Sequence, residues 1–335
     1  MQSNPLNAAA SLCLRFMRTT DLLCEVESST PSSSDVTIQA QITEGGDEVL
    51  RDLWDPWRQL CDESHSEPFA RPEWFAAYLQ NFEPEARVLF ATARQGKRLV
   101  AVLPLIRKTG FFERMPVRKL VCPANVHSVR FSFARVHGET GDTAIGKIWA
   151  EIKTIPGWDV LEVPIYLEKG PCDGVFDSAK KDGYRTCTRL YQESPVLYMR
   201  ESEDGKADWM HGANRHFRHE LRRYQRLLES SLATKPVLTL YRTLEDKLKE
   251  QFFGLEAAGW KGREGSAIIS RGETRGFYEQ IARAAAEAGY FCFYSYREDR
   301  GADLVAGAYG VRTSDVFYPM KISYREELHR CAPGH

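Results

Sequence analysis

The chain has 335 residues, which is enough for two domains with separate hydrophobic cores. Hydrophobic residues make up 43 % and charged residues 27 %, and the net charge is −1, so the composition is that of an ordinary globular protein rather than a basic nucleic-acid binder. No stretch of the sequence reaches the roughly 18 apolar residues that a membrane-spanning helix needs. We therefore expect a protein without a membrane span.

The eight cysteines are scattered along the chain and show none of the paired spacings of zinc sites. A secreted disulfide scaffold would be shorter and richer in cysteine. We therefore expect reduced thiols, a cytoplasmic location and no bound metal.

The first 36 residues are expected to form a disordered tail, because "SSTPSSSD" at 28–35 has the composition of a flexible linker. The start of the chain also lacks the basic residues and the apolar core of a secretory signal. We place a first domain at 37–200 and a second domain at 201–335, with the polar stretch "RESEDGKADW" at their boundary.

Residues 37–200 alternate between helix-like and strand-like patterns. Apolar spacing predicts a helix over 47–61, interrupted at Pro56, and a second helix over 71–82. Two β-prone runs around a Gln-Gly turn predict a hairpin over 87–108. The remaining patterns predict strands at 117–122, 129–135, 158–165, 185–192 and 195–199, and helices at 145–155 and 174–182.

The second half repeats part of this order. Its patterns predict helices at 214–231, 243–260 and 276–289, followed by strands at 291–298, 303–311 and 315–323. "RLVAVLPLI" at 98–106 and "DLVAGAYGV" at 303–311 share Leu-Val-Ala in register. Each is the second arm of a predicted hairpin that follows an amphipathic helix, so the sequence predicts a duplicated domain that mixes helices and strands.

Six segments carry a resemblance to a known family. They are, in chain order, "PFARPEWFAAYL", "GKRLVAVLPL", "NRHFRHELRRYQRLLE", "LEAAGWKGREGSAI", "FYEQIARAAAEAG" and "YPMKISYREELHRCAPG". Together they resemble the CelD-like acetyltransferase family of the GNAT superfamily, which is related to the FemAB-type transferases. The resemblance implies an α+β fold with tandem GNAT-like domains and mixed sheets.

The same resemblance implies an acyl-CoA-dependent N-acyltransferase. It would transfer an acetyl group directly from acetyl-CoA, its co-substrate, to a small-molecule amine in polysaccharide, for example cellulose, or envelope metabolism. We expect no covalent enzyme intermediate, because no cysteine has the surroundings of a nucleophile.

In this family the last strand and the turn after it hold the cofactor. The resemblance therefore implies that Met320, Lys321 and Ile322 bind the pantetheine arm along an open strand edge, as in strand addition. The side chain of Lys321 could meet a cofactor phosphate or an acidic acceptor, and a solvated strand lysine is the simpler interpretation. Pro319 lacks an N–H, which suits a bulge or an edge. Pro333 and Gly334 would deliver the pyrophosphate-binding helix N-terminus. Since the family continues with a helix and strands beyond this point, we expect the second domain to be incomplete and its activity to be weakened.

Five side chains are candidates for chemistry or acceptor binding. Tyr324 follows the cofactor strand, where its phenol could reprotonate the leaving thiolate, although packing or a backbone hydrogen bond is the simpler role. Trp260 and Lys261 in "AAGWKG" could line the acceptor site together with Asn125, and His127 beside Asn125 could act as a general base. A core tryptophan, a solvated lysine and a plain loop histidine are the simpler interpretations.

Two alternatives remain open. A FemAB-like aminoacyl-tRNA-dependent transferase would use the arginine stripe of the helix at 214–231 to hold tRNA, while a catalytically silent scaffolding protein would use no cofactor. The stripe consists of Arg215, Arg218, Arg222 and Arg226. The sequence leaves the acceptor, the acyl chain length and the oligomeric state undetermined.

Overall fold

The computed structural model describes residues 13–16, 37–190, 193, 196–201, 207–208, 214–298 and 304–334. The chain divides into two compact units. The N-terminal unit is Cys24–Tyr191, and the C-terminal unit is Gln192–His335 together with Met1–Leu23. The predicted tail, 1–36, lies outside the described residues except for 13–16, and so does most of the predicted boundary at 200–209. The domain limits 37–200 and 201–335 stay predictions.

The described elements are named here in chain order. The strands are β1 (Cys13–Phe16), β2 (Ile38–Gly45), β3 (Val88–Gln95), β4 (Arg98–Phe112), β5 (Met115–Val121), β6 (Ala134–Arg135), β7 (Val160–Glu162), β8 (Val196–Glu201), β9 (Ala207–Asp208), β10 (Val237–Tyr241), β11 (Phe291–Arg297), β12 (Leu304–Arg312) and β13 (Val316–Tyr324). The α-helices are α1 (Asp47–Glu63), α2 (Pro72–Phe82), α3 (Gly138–Thr154), α4 (Asp173–Lys181), α5 (Arg215–Ser231), α6 (Asp246–Ala258), α7 (Trp260–Arg263) and α8 (Gly272–Glu287). Short 3-10 turns lie at Pro68–Ala70, Ile268–Ser270 and Glu326–Cys331.

The N-terminal unit is built on a mixed sheet in the order β2-β3-β4-β5-β7, with β6 beside β4. The pairs are antiparallel except for β5 and β7, which run parallel. The predicted hairpin is confirmed as β3 and β4, and its turn places Gly96 at a φ of 60°, a conformation that favours glycine. Residues 88–93 of β3 are buried without alternation, as in a strand covered on both faces.

Four sequence predictions in this unit differ from the structure. Of the strand predicted at 129–135, only β6 forms a ladder, with an isolated bridge at Phe131. Helix α1 continues through Pro56, and Trp57 in the following turn is anchored by its indole N–H, which donates to the Ala70 carbonyl at 2.8 Å. The strand predicted at 158–165 is only β7, because Pro164 lacks the N–H that a longer ladder would use. Residues 185–190 of the strand predicted at 185–192 have no strand partner and are mostly exposed.

The C-terminal unit is built on a seven-stranded sheet in the order β10-β11-β12-β13-β1-β8-β9. Strands β10 to β13 pair antiparallel, while β1 and β8 run parallel, so this sheet is also mixed. Helix α6 packs on β12 and β13, and α8 packs on β11. The α+β fold with mixed sheets that the sequence predicted is therefore confirmed.

The two hairpins share an irregularity as well as a sequence. Arg94 pairs with Leu99 and Ala93 with Ala101, so Val100 is an extra residue in β4. In the C-terminal unit Arg297 pairs with Leu304 and Tyr296 with Ala306, so Val305 is an extra residue in β12. Both valines are the central residue of Leu-Val-Ala, so the two hairpins bulge at equivalent positions, which supports the predicted duplication.

A second bulge leaves part of β13 open. Tyr309 pairs with Lys321 and Gly310 with Pro319, so Met320 is an extra residue, as expected for a proline near a bulge. Strand β1 pairs with β13 only at its first two residues, 316 and 317. Among the described residues, therefore, no strand pairs with 318–324 on the side away from β12.

Candidate functional site

The alternation of β13 sends its predicted site residues to different surroundings. The side chain of Lys321 lies against Glu256 of α6 and over the ring of Tyr278 of α8. Ile322 and Tyr324 lie on the other side, where a Cβ placed on Gly334 would be 3.4 Å from the Tyr324 ring and 3.9 Å from Ile322 Cγ2. The turn containing Pro333 and Gly334 therefore packs near Ile322 and Tyr324, not near Lys321.

A small cleft lies beside the open part of β13. It is lined by Glu256, Gly259, Trp260, Lys261, Ile322, Ser323, Tyr324 and Glu326. The structure therefore brings together Trp260, Lys261, Ile322 and Tyr324, which the sequence had assigned separately to the acceptor, the cofactor and catalysis.

The floor of the cleft is a buried carboxylate. The side chain of Glu256 is 0 % exposed, and its Oε1 lies 3.2 Å from Lys261 Nζ and 3.5 Å from Lys321 Nζ. Its Oε2 accepts a hydrogen bond of 2.7 Å from the Ile268 N–H. Both oxygens are engaged, so Glu256 holds its neighbours in place rather than waiting as a free base.

Lys261 connects this carboxylate to the strand. Its Nζ donates a hydrogen bond of 2.9 Å to the carbonyl of Ile322. Helix α7 reaches this position because it folds back tightly on α6: a Cβ on Gly262 would lie 1.8 Å from the Ala257 carbonyl oxygen. Gly262, the second glycine of "AAGWKG", is therefore required, because a side chain at this position would collide with the backbone of Ala257.

Trp260 borders the cleft at the surface. Its side chain is 41 % exposed, which excludes the simple core role. Its backbone N–H donates to Glu326 Oε1 at 3.1 Å, and the other oxygen of Glu326 lies 3.6 Å from Arg263. The rim of the cleft is therefore polar, and the negative charge of Glu326 is paired with the positive charge of Arg263.

Lys321 is held in an unfavourable environment for a cation. Burial has the largest effect and lowers the pKa of Lys321. The attraction of Glu256 raises this pKa in part, and the positive charge of Lys261 lowers it again. A buried ammonium with a depressed pKa is the arrangement often found at binding and catalytic sites.

Residues 215–335 match the family model described as Acetyltransferase (GNAT) domain. These residues contain α5 to α8, β10 to β13 and the whole cleft. The C-terminal unit carries a GNAT-type acetyltransferase domain.

Two solved structures are similar to most of the chain. One is a tandem GNAT protein from the clavulanic acid biosynthesis pathway, with 11 % identity, 86 % of this chain and 80 % of that chain covered, and a TM-score of 0.35. The other is a conserved protein from Enterococcus faecalis V583, a probable N-acyltransferase, with 10 % identity, coverage of 88 % and 60 %, and a TM-score of 0.26. No curated protein matches the chain.

The family match confirms the predicted GNAT-type acyltransferase, within the acetyltransferase domain. The finer predictions, a CelD-like subfamily and a domain that lacks its last helix and strands, stay predictions. No described helix is long and apolar enough to cross a membrane. Among the described residues, no group of His, Cys, Asp and Glu side chains could hold a metal ion.

The predicted base lies outside the acetyltransferase domain. Asn125 and His127 are in the N-terminal unit, where Asn125 Oδ1 accepts a hydrogen bond of 2.9 Å from the His127 N–H. The His127 ring stacks on Phe82, with ring centroids 5.5 Å apart. These contacts explain the local turn, and the catalytic role of His127 stays a prediction.

The sequence reasoning missed Glu256 and Glu326. One signal was present for Glu256: it lies four residues after the buried Phe252, on the apolar face of α6. A carboxylate at such a position needs a buried partner. The partner could not be read from spacing, because Lys321 lies 65 positions further along the chain.

Proposed function

We propose that the acetyltransferase domain transfers an acetyl group from acetyl-CoA to an amine at the open edge of β13. The observation that carries this proposal is a bulged strand inside the domain that matches the family, whose edge at 318–324 is not paired by any described strand. The amides of a pantetheine arm can add to such an edge as a peptide strand does.

The proposal assigns the pantetheine arm to the bulged part of β13 and the pyrophosphate to the turn at Pro333 and Gly334 that packs beside it. Met320, Lys321 and Ile322 would hold the arm through their backbone, where the arm would share the Ile322 carbonyl with Lys261 Nζ, and Pro333 and Gly334 would approach the pyrophosphate. Gly334 is exposed and the turn lies beside Ile322, which supports a cofactor that runs along one side of β13.

The reaction needs a neutral amine next to the thioester. The nitrogen attacks the carbonyl carbon, the C–N bond forms and the C–S bond breaks; the thiolate takes a proton, and the nitrogen releases one proton, which restores the proton donor through solvent. We assign that proton to the phenol of Tyr324, which borders the cleft on the same side as Gly334.

The acceptor would meet the cofactor at Trp260 and Lys261. The cleft holds about 30 Å³, so it admits the reacting amine and not a whole acceptor. The exposed Trp260 ring could cover the rest of the acceptor, and an aromatic face of this kind can pack on flat groups or on the C–H face of a sugar ring. The CelD-like resemblance suggests an amino group in polysaccharide or envelope metabolism.

Thermal unfolding with increasing acetyl-CoA tests this function. A ligand that binds only the folded protein should stabilise it by about 2.7 kcal/mol at a hundred times its Kd. Adenosine 3′,5′-bisphosphate, which lacks the pantetheine arm, is the control and should stabilise the protein less. No change in Tm at millimolar acetyl-CoA would overturn the proposal and favour the silent scaffolding alternative.

A further inference from the structure

The cluster under the cleft has an unbalanced charge. It contains two ammonium groups, Lys261 and Lys321, and one carboxylate, Glu256. The lysine side chains are only 16 % and 15 % exposed. Among the described residues no other carboxylate forms an ion pair with either lysine, so the cluster carries an excess positive charge when both lysines are protonated. Excess buried charge lowers stability, so it needs a functional explanation.

The ammonium group of Lys321 has fewer polar partners than that of Lys261 among the described residues. Lys261 has a carboxylate at 3.2 Å and the Ile322 carbonyl at 2.9 Å. Lys321 has the same carboxylate at 3.5 Å and the face of Tyr278, with its Nζ 5.4 Å from the ring centroid. An ammonium has three N–H donors, so Lys321 retains capacity for an anionic partner.

The phosphates of the cofactor do not lie where they could bind the ammonium group of Lys321. Under the proposed function they lie near Pro333 and Gly334, which pack on the Ile322 and Tyr324 side of β13. Lys321 lies on the opposite side, against α6 and α8. An anion that reaches Lys321 therefore belongs to the second substrate.

We propose that Lys321, supported by Lys261, binds an anionic group, a carboxylate or a phosphate, on the acceptor amine. Glu256 acts as a positioning residue: it lines the cleft beside Lys261 and holds the Lys321 ammonium directly behind that lining, 3.5 Å from its Oε1. This inference rests on the proposed function and adds the substrate class: an amine that also carries a negative charge close to its amino group.

The groups around Lys321 agree with this role. It faces Glu256 on α6, Lys261 on α7 and Tyr278 on α8, and it pairs with Tyr309 on β12. Burial and Lys261 lower its pKa, and a bound anion would reverse that effect. Binding of the acceptor would thus relieve the charge imbalance in the free site.

Matched pairs of amines test the substrate class. The rate of CoA release is measured with glucosamine 6-phosphate against glucosamine, and with tyrosine against tyramine, for the wild type, Lys321→Met and Lys247→Met. Lys247 lies on the exposed face of α6 and serves as the control. The anionic member of each pair should have a kcat/KM at least about tenfold higher, since one charge-assisted contact exceeds 1.4 kcal/mol. The preference should fall to about twofold in Lys321→Met and survive in Lys247→Met. Equal rates within each pair, or an unchanged preference in Lys321→Met, would overturn the inference.

If these amines are not turned over, inorganic phosphate serves as the probe, in the presence of saturating acetyl-CoA and at constant ionic strength. Phosphate should raise the Tm of the wild type and of Lys247→Met, and should not raise that of Lys321→Met. Equal shifts in all three proteins, or a shift that acetyl-CoA abolishes, would overturn the inference, because the anion would then bind elsewhere or in the cofactor site. Failure of the proposed function is a separate result, in which acetyl-CoA itself causes no shift.

Discussion

Replacing Glu256 by glutamine tests how the cleft is held together. The variant keeps the volume of the side chain and an acceptor for the Ile268 N–H, but it removes the negative charge between Lys261 and Lys321. Removing one partner of a buried ion pair costs about 3–5 kcal/mol. Because both lysines retain some contact with water, we expect the lower limit, about 3 kcal/mol, which corresponds to roughly 10 °C in the Tm of a domain of this size.

The unfolding free energy lost in Glu256→Gln should decrease at high pH if the buried lysine charges cause the loss. At pH 7 the lysines are charged in the unfolded chain, and in the variant they must either stay charged in a buried site or release their protons, and both cost free energy. As the pH approaches the ordinary lysine pKa of 10.5, the unfolded lysines also lose their protons. The difference in unfolding free energy between wild type and variant should therefore shrink.

Urea unfolding at pH 7 and pH 10 measures this difference. Glu250→Gln is the matched control, because Glu250 lies on the same helix in an exposed ion pair with Arg275 and should cost at most about 1 kcal/mol at either pH. A Glu256→Gln loss as small as that of the control, or one that stays constant with pH, would refute the buried-charge explanation.

Three further predictions concern other parts of the chain. Gly262→Ala should destabilise the C-terminal unit by several kcal/mol in urea unfolding, whereas Gly265→Ala, at a φ of 68° with open space around it, should cost about 1 kcal/mol. A maleimide at pH 8 should label the exposed Cys187 quickly and Cys61 only on unfolding, because burial raises the pKa of Cys61 to about 12. The pKa of Lys321 is lower in the folded protein than in the unfolded chain, so the unfolded state binds this proton more tightly. The free energy of unfolding of the wild type should therefore rise with pH between the lowered pKa and 10.5. This rise should be smaller in Lys321→Met.

Local sequence signals predicted the elements that local chemistry determines. β-Prone runs around a Gln-Gly turn predicted the first hairpin, the shared Leu-Val-Ala predicted the duplication, and the missing N–H of Pro319 suggested a bulge or an edge in β13. The strand predicted at 185–192 was wrong over 185–190, because β-prone residues form a strand only where a neighbouring strand completes their hydrogen bonds. Helix α1 passes through Pro56, since packing of its buried face outweighs one lost hydrogen bond.

The arrangement of the cleft could be predicted only in part. The family resemblance gave Trp260, Lys261 and the β13 residues, but not the contacts among them. Glu256, Lys261 and Lys321 come together because α6 packs on β13 and α7 turns back on α6. Such contacts depend on tertiary packing between segments distant in sequence, which composition and periodicity do not encode.

Hydrogen exchange measured by mass spectrometry, with and without acetyl-CoA, is the most direct test of cofactor binding along β13. We predict that acetyl-CoA slows exchange of the amides in residues 320–324, while β10, the strand at the far end of the same sheet, is unaffected. Unchanged exchange in residues 320–324 at an acetyl-CoA concentration that raises the Tm would contradict the assignment of the cofactor to this edge.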